Sequence, residues 1–203
     1  MKNAITLAFE GPDRHGKSTQ AKLLHEACLA AGYKAILVKV PTDSCTRTHR
    51  LIYAMLANGW ARKVPHLFQL VHFLNKLLFQ LLYLPIMLKW CDIVILDRWA
   101  LSATVYGTVD GANRWFSRAL FSLLKKPDIT VVFHGAPFKR ASVDDSYEKD
   151  GGFQQRVAQG YVDWAMEHPF DHTLINNQFK DVNGIHSDII TRLLQRGLIR
   201  GVK

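Results

Sequence analysis

Cysteine is scarce in this chain and follows no pattern. Cys28, Cys45 and Cys91 are the three among 203 residues. An odd count without metal-type spacing argues against a disulfide framework and predicts reduced thiols in a cytoplasmic protein. Low-complexity runs, internal repeats and Gly/Ser linkers are also missing, which predicts one domain over residues 1–203. A secretory leader is not expected, because the apolar run Ile5–Phe9 is short and Glu10 follows at once. Acidic residues are few, 17 against 26 Lys and Arg, for a formal charge of +9. Two readings of that charge stay open: an enzyme that handles phosphate, or a protein whose partner is a polyanion such as nucleic acid.

One long hydrophobic run is present, Leu67 to Leu88, long enough on length alone to span a bilayer. Gln69, His72, Asn75, Lys76 and Gln80 interrupt it, and Pro85 sits near its end. A lone membrane span has no use for a polar strip, so the run predicts a buried helix lining a ligand cleft, with no membrane partner.

Along the rest of the chain, strand-like and helix-like stretches alternate. Ile5–Phe9, Ala35–Val40, Cys91–Leu96, Asp128–Phe133 and Thr173–Ile175 read as strands, several as continuous apolar runs suited to burial on both faces. Helices are expected over 17–31, much of 45–90, 100–107, 112–125, 151–166 and 182–195. This alternation predicts a three-layer α/β fold with a parallel sheet of about five strands flanked by helices. The polar stretch 142–150, SVDDSYEKD, is expected to form a mobile lid over the site, a plain surface loop being the other reading.

Residues 11–19 carry the strongest motif: Gly11, Pro12, Asp13, Arg14, His15, Gly16, Lys17, Ser18, Thr19. Gly, four residues, then Gly-Lys-Ser between a strand and a helix is the phosphate-binding P-loop. The glycines permit backbone angles that aim N–H groups inward, and the following helix adds its positive end. Lys17 is placed for the outer phosphates of ATP, and the Ser18 hydroxyl for Mg²⁺. Arg14 can reach a transferring phosphoryl group, or can be a solvated surface arginine.

A second motif, VILDRW, ends in Asp97, Arg98 and Trp99. An Asp at the C-terminal end of a buried strand can serve Mg²⁺ or Ser18, and Arg98 can bind an acceptor phosphate. A structural Asp–Arg pair is the bland alternative.

Taken together, FEGPDRHGKSTQAKLL, DRWALSATVYG at 97–107, KPDITVVF at 126–133 and YEKDGGFQQRVAQGY at 147–161 resemble the thymidylate kinase family over most of the chain. The resemblance implies ATP and Mg²⁺ as cofactors, dTMP or a close monophosphate as acceptor, and a homodimer. It also implies roles at matching positions. Arg14, Lys17, Asp97 and Arg98 would be catalytic, with Ser18 and Asp97 at the metal. Asp13 would meet the sugar 3′-hydroxyl, and Phe73 would stack on the base with Lys76 beside it. Arg98 would hold the acceptor phosphate, and Ser102, Tyr106, Tyr147 and Gln154 would complete the acceptor site. Departures are Asp43, where the family usually has an arginine on the acceptor phosphate, and Trp99 in place of Tyr or His. Asp43 and the positive charge keep a second acceptor open, a modified pyrimidine such as 5-hydroxymethyluracil within DNA. A non-catalytic nucleotide-binding regulator is the third reading.

Overall fold

The structure is a computed structural model and describes residues 4–135, 137–138, 151–169, 172–177 and 180–202. The expected lid and Tyr147 lie outside the described residues. Five strands form one sheet: β1 (Ile5–Glu10), β2 (Ala35–Lys39), β3 (Ile93–Asp97), β4 (Ile129–His134) and β5 (His172–Asn176). Their order is β2-β3-β1-β4-β5, and every pairing is parallel. The three central strands are almost wholly buried, as their largely apolar content favours, whereas β2 at the edge is only partly covered.

Helices cover both faces. On one side, Leu7, Phe9, Ile95 and Phe133 pack with Leu24 and Cys28 of α1 (Lys17–Ala30) and with Ile185, Ile189 and Leu193 of α9 (Val182–Gln195). On the other side are α2 (Thr46–Ala57), α3 (Trp60–Lys63), α4 (Pro65–Leu82), α5 (Leu84–Trp90), α6 (Ala100–Val109), α7 (Arg114–Phe121) and α8 (Gly151–Glu167). Two apolar clusters form there, one around Phe79, Leu96 and Trp99, the other around Phe68, Phe153 and Tyr161.

Within the stretch 45–90, helix α2 stops before Gly59, whose φ is 68°. Helices α4 and α5 meet at a bend of about 40°. Pro85, in the first turn of α5, lacks the N–H that would continue the α4 ladder. Among the described residues no single helix is long and apolar enough to cross a membrane.

The long helix departs from expectation in one respect. Its cleft side is buried, with Phe68, Gln69 and Lys76 inside, but Leu67, Leu70, Leu74, Leu78 and Leu81 on the far side are 39–62% exposed. It is therefore not buried all round.

Sheet register sets up the site. Phe9 pairs with Asp97 across β1 and β3, so the two C-terminal strand ends lie side by side. The Arg98 amide then donates to the Phe9 carbonyl at 2.9 Å, carrying the pairing one residue past the strand. Ligand sites of parallel α/β sheets form at such ends.

Candidate active site

The phosphate loop leaves β1 at Gly11 and enters α1 at Lys17. Gly11 has φ 144°, and a Cβ there would meet the Phe133 carbonyl oxygen at 2.8 Å, so the loop runs closer to β4 than a side chain allows. Gly16, at φ 85°, caps α1 in the left-handed region. Arg14 also has positive φ, 66°. Its Nε donates to the Phe138 carbonyl at 3.2 Å, while the Phe138 amide donates to the Arg14 carbonyl at 2.7 Å. His15 bridges the Asp13 and Gly135 carbonyls, at 2.8 and 3.3 Å. The loop is thus held from the β4 side.

Lys17 is buried and turns back to donate to the Pro12 carbonyl. Burial first, then the neighbouring Arg98 guanidinium, lowers its pKa to about 7; Asp13, Asp97 and Glu10 act in the opposite sense. Ser18 and Thr19 are exposed at the first turn of α1, open to a nucleotide. Asp97 is buried, and its Oδ1 has no hydrogen-bond partner among the described residues. An orphaned carboxylate oxygen together with an open Ser18 hydroxyl suits a hard, oxygen-ligated cation such as Mg²⁺. No group of three or more His, Cys, Asp or Glu converges among the described residues.

Arg98 joins the loop to the acceptor side. At φ 70° it turns back over the phosphate loop. Its Nη2 is paired with Asp13 Oδ1, and its Nη1 donates to the Gly11 carbonyl at 3.3 Å and to Ser102 Oγ at 3.1 Å. Asp13 Oδ2 accepts from the Tyr106 hydroxyl at 2.6 Å and from Gln154 Nε2 at 3.4 Å. Burial pushes the Asp13 carboxyl up, but Arg98 and Lys17 outweigh it and hold the group below its usual range. The guanidinium also lies over the Tyr106 ring, 5.2 Å from its centroid.

A carboxylate that the motifs did not single out organises this side. Glu10 is 1% exposed; its Oε1 accepts from the Trp99 amide at 2.8 Å, and its Oε2 accepts from the Ser102 amide and hydroxyl. Ser102 Oγ also shares a hydrogen bond with the Tyr161 hydroxyl at 2.7 Å. Burial raises the Glu10 pKa, while Ser102, Arg98 and the two amides favour its charged form.

Next to Arg98 opens a cleft of about 160 Å³ between α2, α4 and α6. Asp13, Arg98, Ser102 and Tyr106 are at one end, with Phe68, Gln69, His72 and Lys76 along α4. A larger cavity of about 380 Å³ lies behind Glu10, by Lys125, Lys126 and Trp164, and includes no phosphate-loop residue. The chemistry follows the smaller cleft.

The sequence reading of Phe73 needs correction. Phe73 does not line the cleft; it packs against Phe121, with ring centroids 6.1 Å apart, in the core beside the sheet. Phe68 is the phenylalanine that lines the cleft, edge-on to His72 at 4.6 Å. Five helical residues turn by about 140°, so the two rings cannot share a face. The Phe68–His72 spacing of four was the available signal. Asn75, another member of the polar strip, holds the chain after β2, accepting from the Thr42 amide and donating to the Thr42 carbonyl, both at 3.2 Å. Asp43 is exposed and outside the cleft lining, as are Arg47 and Arg50.

A sequence model of the thymidylate kinase family matches residues 9–189. The chain belongs to the thymidylate kinase family. Curated relatives agree over nearly full length. The probable thymidylate kinase of Thermococcus kodakarensis is 30% identical, with 91% of this chain and 94% of the relative covered. That of Thermococcus onnurineus is 29% identical, covering 96% and 98%. Solved structures share the fold. Thymidylate kinase from Candida albicans superposes with TM-score 0.75 at 21% identity, over 97% of this chain and 93% of that one. Thymidylate kinase from Ehrlichia chaffeensis gives 0.75 at 24% identity, over 94% and 98%. The kinase is accordingly a P-loop phosphotransferase of this family, with its phosphate loop and the smaller cleft meeting at Arg98.

Proposed function

We propose that the chain transfers the terminal phosphoryl group of ATP to dTMP, yielding ADP and dTDP. The observation that carries this reading is the seat of Arg98. It is tied to the phosphate loop through Gly11 and Asp13, and to the acceptor cleft through Ser102. An acceptor phosphate bound there faces a donor phosphate on Lys17.

In the reaction, an oxygen of the dTMP phosphate attacks the γ-phosphorus in line, and the bond from that phosphorus to the β–γ bridging oxygen breaks. Lys17 and the loop amides neutralise charge on the donor. Arg98 holds the acceptor, and Arg14, released from Phe138, reaches the transferring group. Asp13 and Tyr106 orient the sugar, and Phe68 takes the stacking role against the base. Ser18 and Asp97 would hold Mg²⁺, which would supply electrophilic neutralisation of the phosphates when bound. Positioning and charge neutralisation account for the rate, with little need for a general base. Gln154 donates to Asp13, which supports its place in the acceptor site. The acceptor phosphate is not opposed by Asp43, whose side chain is at the surface.

The leucine face of α4 supports a homodimer. The five leucines recur at helical spacing on one side, and α5 adds exposed Ile86 and Trp90. Free thiols at Cys28, Cys45 and Cys91 suit a reducing cytoplasm.

The test is an acceptor panel with labelled ATP: dTMP, dUMP, other monophosphates and DNA oligonucleotides. Formation of dTDP, reduced at least about a hundredfold in folded Lys17→Ala, is the expected result. Labelled DNA without dTDP would replace the acceptor and leave the ATP site standing. Lack of transfer to any acceptor would favour the non-catalytic regulator.

A further inference from the structure

Gln69 is the most tightly enclosed polar group of the acceptor cleft that catalysis does not use. It is 1% exposed, lines the cleft, and its Oε1 has no hydrogen-bond partner among the described residues. Its amide lies against Gly107 of α6, where a Cβ would overlap it. Helix α6 therefore gives up a side chain at the point where α4 brings in a carboxamide. A buried amide oxygen left without a partner is costly, and such a group is retained where a ligand completes it.

Its neighbours narrow the ligand. Gln69, His72 and Lys76 fall within about 60° of one another around α4, so they present one polar strip to the cleft. Lys76 Nζ lies 3.5 Å from His72 Nδ1. Burial, then Lys76 and Arg98, keep His72 neutral, so its Nδ1 accepts from the ammonium. The strip thus offers one carboxamide, with a donor and an acceptor, beside an ammonium that can only donate. An imide edge, N–H flanked by carbonyl oxygens, answers that arrangement: the N–H donates to Oε1 and a carbonyl accepts from Nε2. With the carboxamide in this orientation, an exocyclic amine in the carbonyl's place would face the Nε2 donor. The cleft volume, about 160 Å³, suits a single-ring base.

We propose that Gln69 is a specificity-determining residue that reads the N3–H and O4 edge of the acceptor's thymine or uracil ring and disfavours cytosine. This rests on the dTMP reading of the same cleft.

The test uses the full chain and three acceptors: dTMP, its N3-methyl derivative, which lacks the N3 hydrogen, and dCMP. The wild-type enzyme should favour dTMP over each by about tenfold to hundredfold in kcat/KM, the discrimination of one bidentate pair. In Gln69→Leu, or Gln69→Met if the leucine variant misfolds, both ratios should collapse towards one while KM for ATP stays put. A purely structural role would lower all three acceptors alike and keep the ratios, which would overturn the proposal. Equal use of dTMP and N3-methyl-dTMP by the wild-type enzyme would overturn it without any variant. If the wild-type enzyme makes no dTDP, the acceptor reading itself fails, and this assignment with it. Activity on dTMP with unchanged ratios in the variants sinks only the role of Gln69.

Discussion

Lys76 carries an ammonium into a site that is only 2% exposed, and burial brings its pKa down from 10.5 to about 8. The sign of the effect on stability follows. Between pH 8 and 10.5 the unfolded chain holds this proton and the folded chain releases it, so stability from this group rises with pH across that window. Below the folded pKa both states are protonated and the whole cost of burial stands. Lys76→Met should therefore stabilise the protein at pH 7, by up to about 3 kcal/mol, and lose most of that gain by about pH 10. Thermal melts of both proteins at the two pH values check this; an equal gain at both would show that packing, not charge, is responsible. The same helix shows what sequence reveals of single residues. Phosphate-loop residues are legible because neighbours in sequence are neighbours in space. An apolar helix offers phenylalanines on several faces, and only tertiary packing turns Phe68 into the cleft and Phe73 into the core. Glu10 was missed for a similar reason: its partners Trp99 and Ser102 are about ninety positions away.

Helix α4 has two different sides, and each makes a demand of its own. Its cleft side carries the polar strip, and its outer side carries Leu67, Leu70, Leu74, Leu78 and Leu81 at 39–62% exposure. The run of apolar residues that resembles a membrane span is thus divided between core and surface. Paired with a second copy, the outer leucines become the centre of an interface. Light scattering at micromolar concentration should report a dimer. Leu74→Glu combined with Leu78→Glu should yield a monomer with an unchanged circular dichroism spectrum, since neither side chain is in the core. A wild-type monomer would refute the dimer, and a dimer that survives both charges would place the interface elsewhere. At this scale strands were read to within one or two residues, because continuous apolar runs bounded by polar residues mark them. The breaks at Gly59 and Pro85 fell inside a stretch whose helical pattern continues on both sides, so periodicity alone could not locate them.

For the whole molecule, the charge of +9 bears on which polyanions it tolerates and which it needs. A mononucleotide meets two or three cations in this cleft and releases few counterions. Its KM should therefore change only a few-fold between about 50 and about 200 mM salt, whereas binding through six or more DNA phosphates would fall by about a thousandfold or more. Initial rates with dTMP at the two salt concentrations decide this. A steep loss would revive a nucleic-acid acceptor. The parallel sheet and three-layer architecture were legible because strand and helix alternate along the chain. The path linking donor loop to acceptor cleft was not, since it depends on the lateral pairing of β1 with β3.

Glu10 has a consequence for anyone who would transplant parts of this enzyme. In sequence it belongs to the strand that delivers the donor loop, but its carboxylate serves the acceptor half through Trp99 and Ser102. The boundary between two exchangeable modules therefore falls between Glu10 and Gly11. A loop borrowed from another nucleotide-binding protein should begin at the glycine. A graft that starts one residue earlier and brings a different side chain would untie the segment that aims Arg98, however good the new phosphate loop.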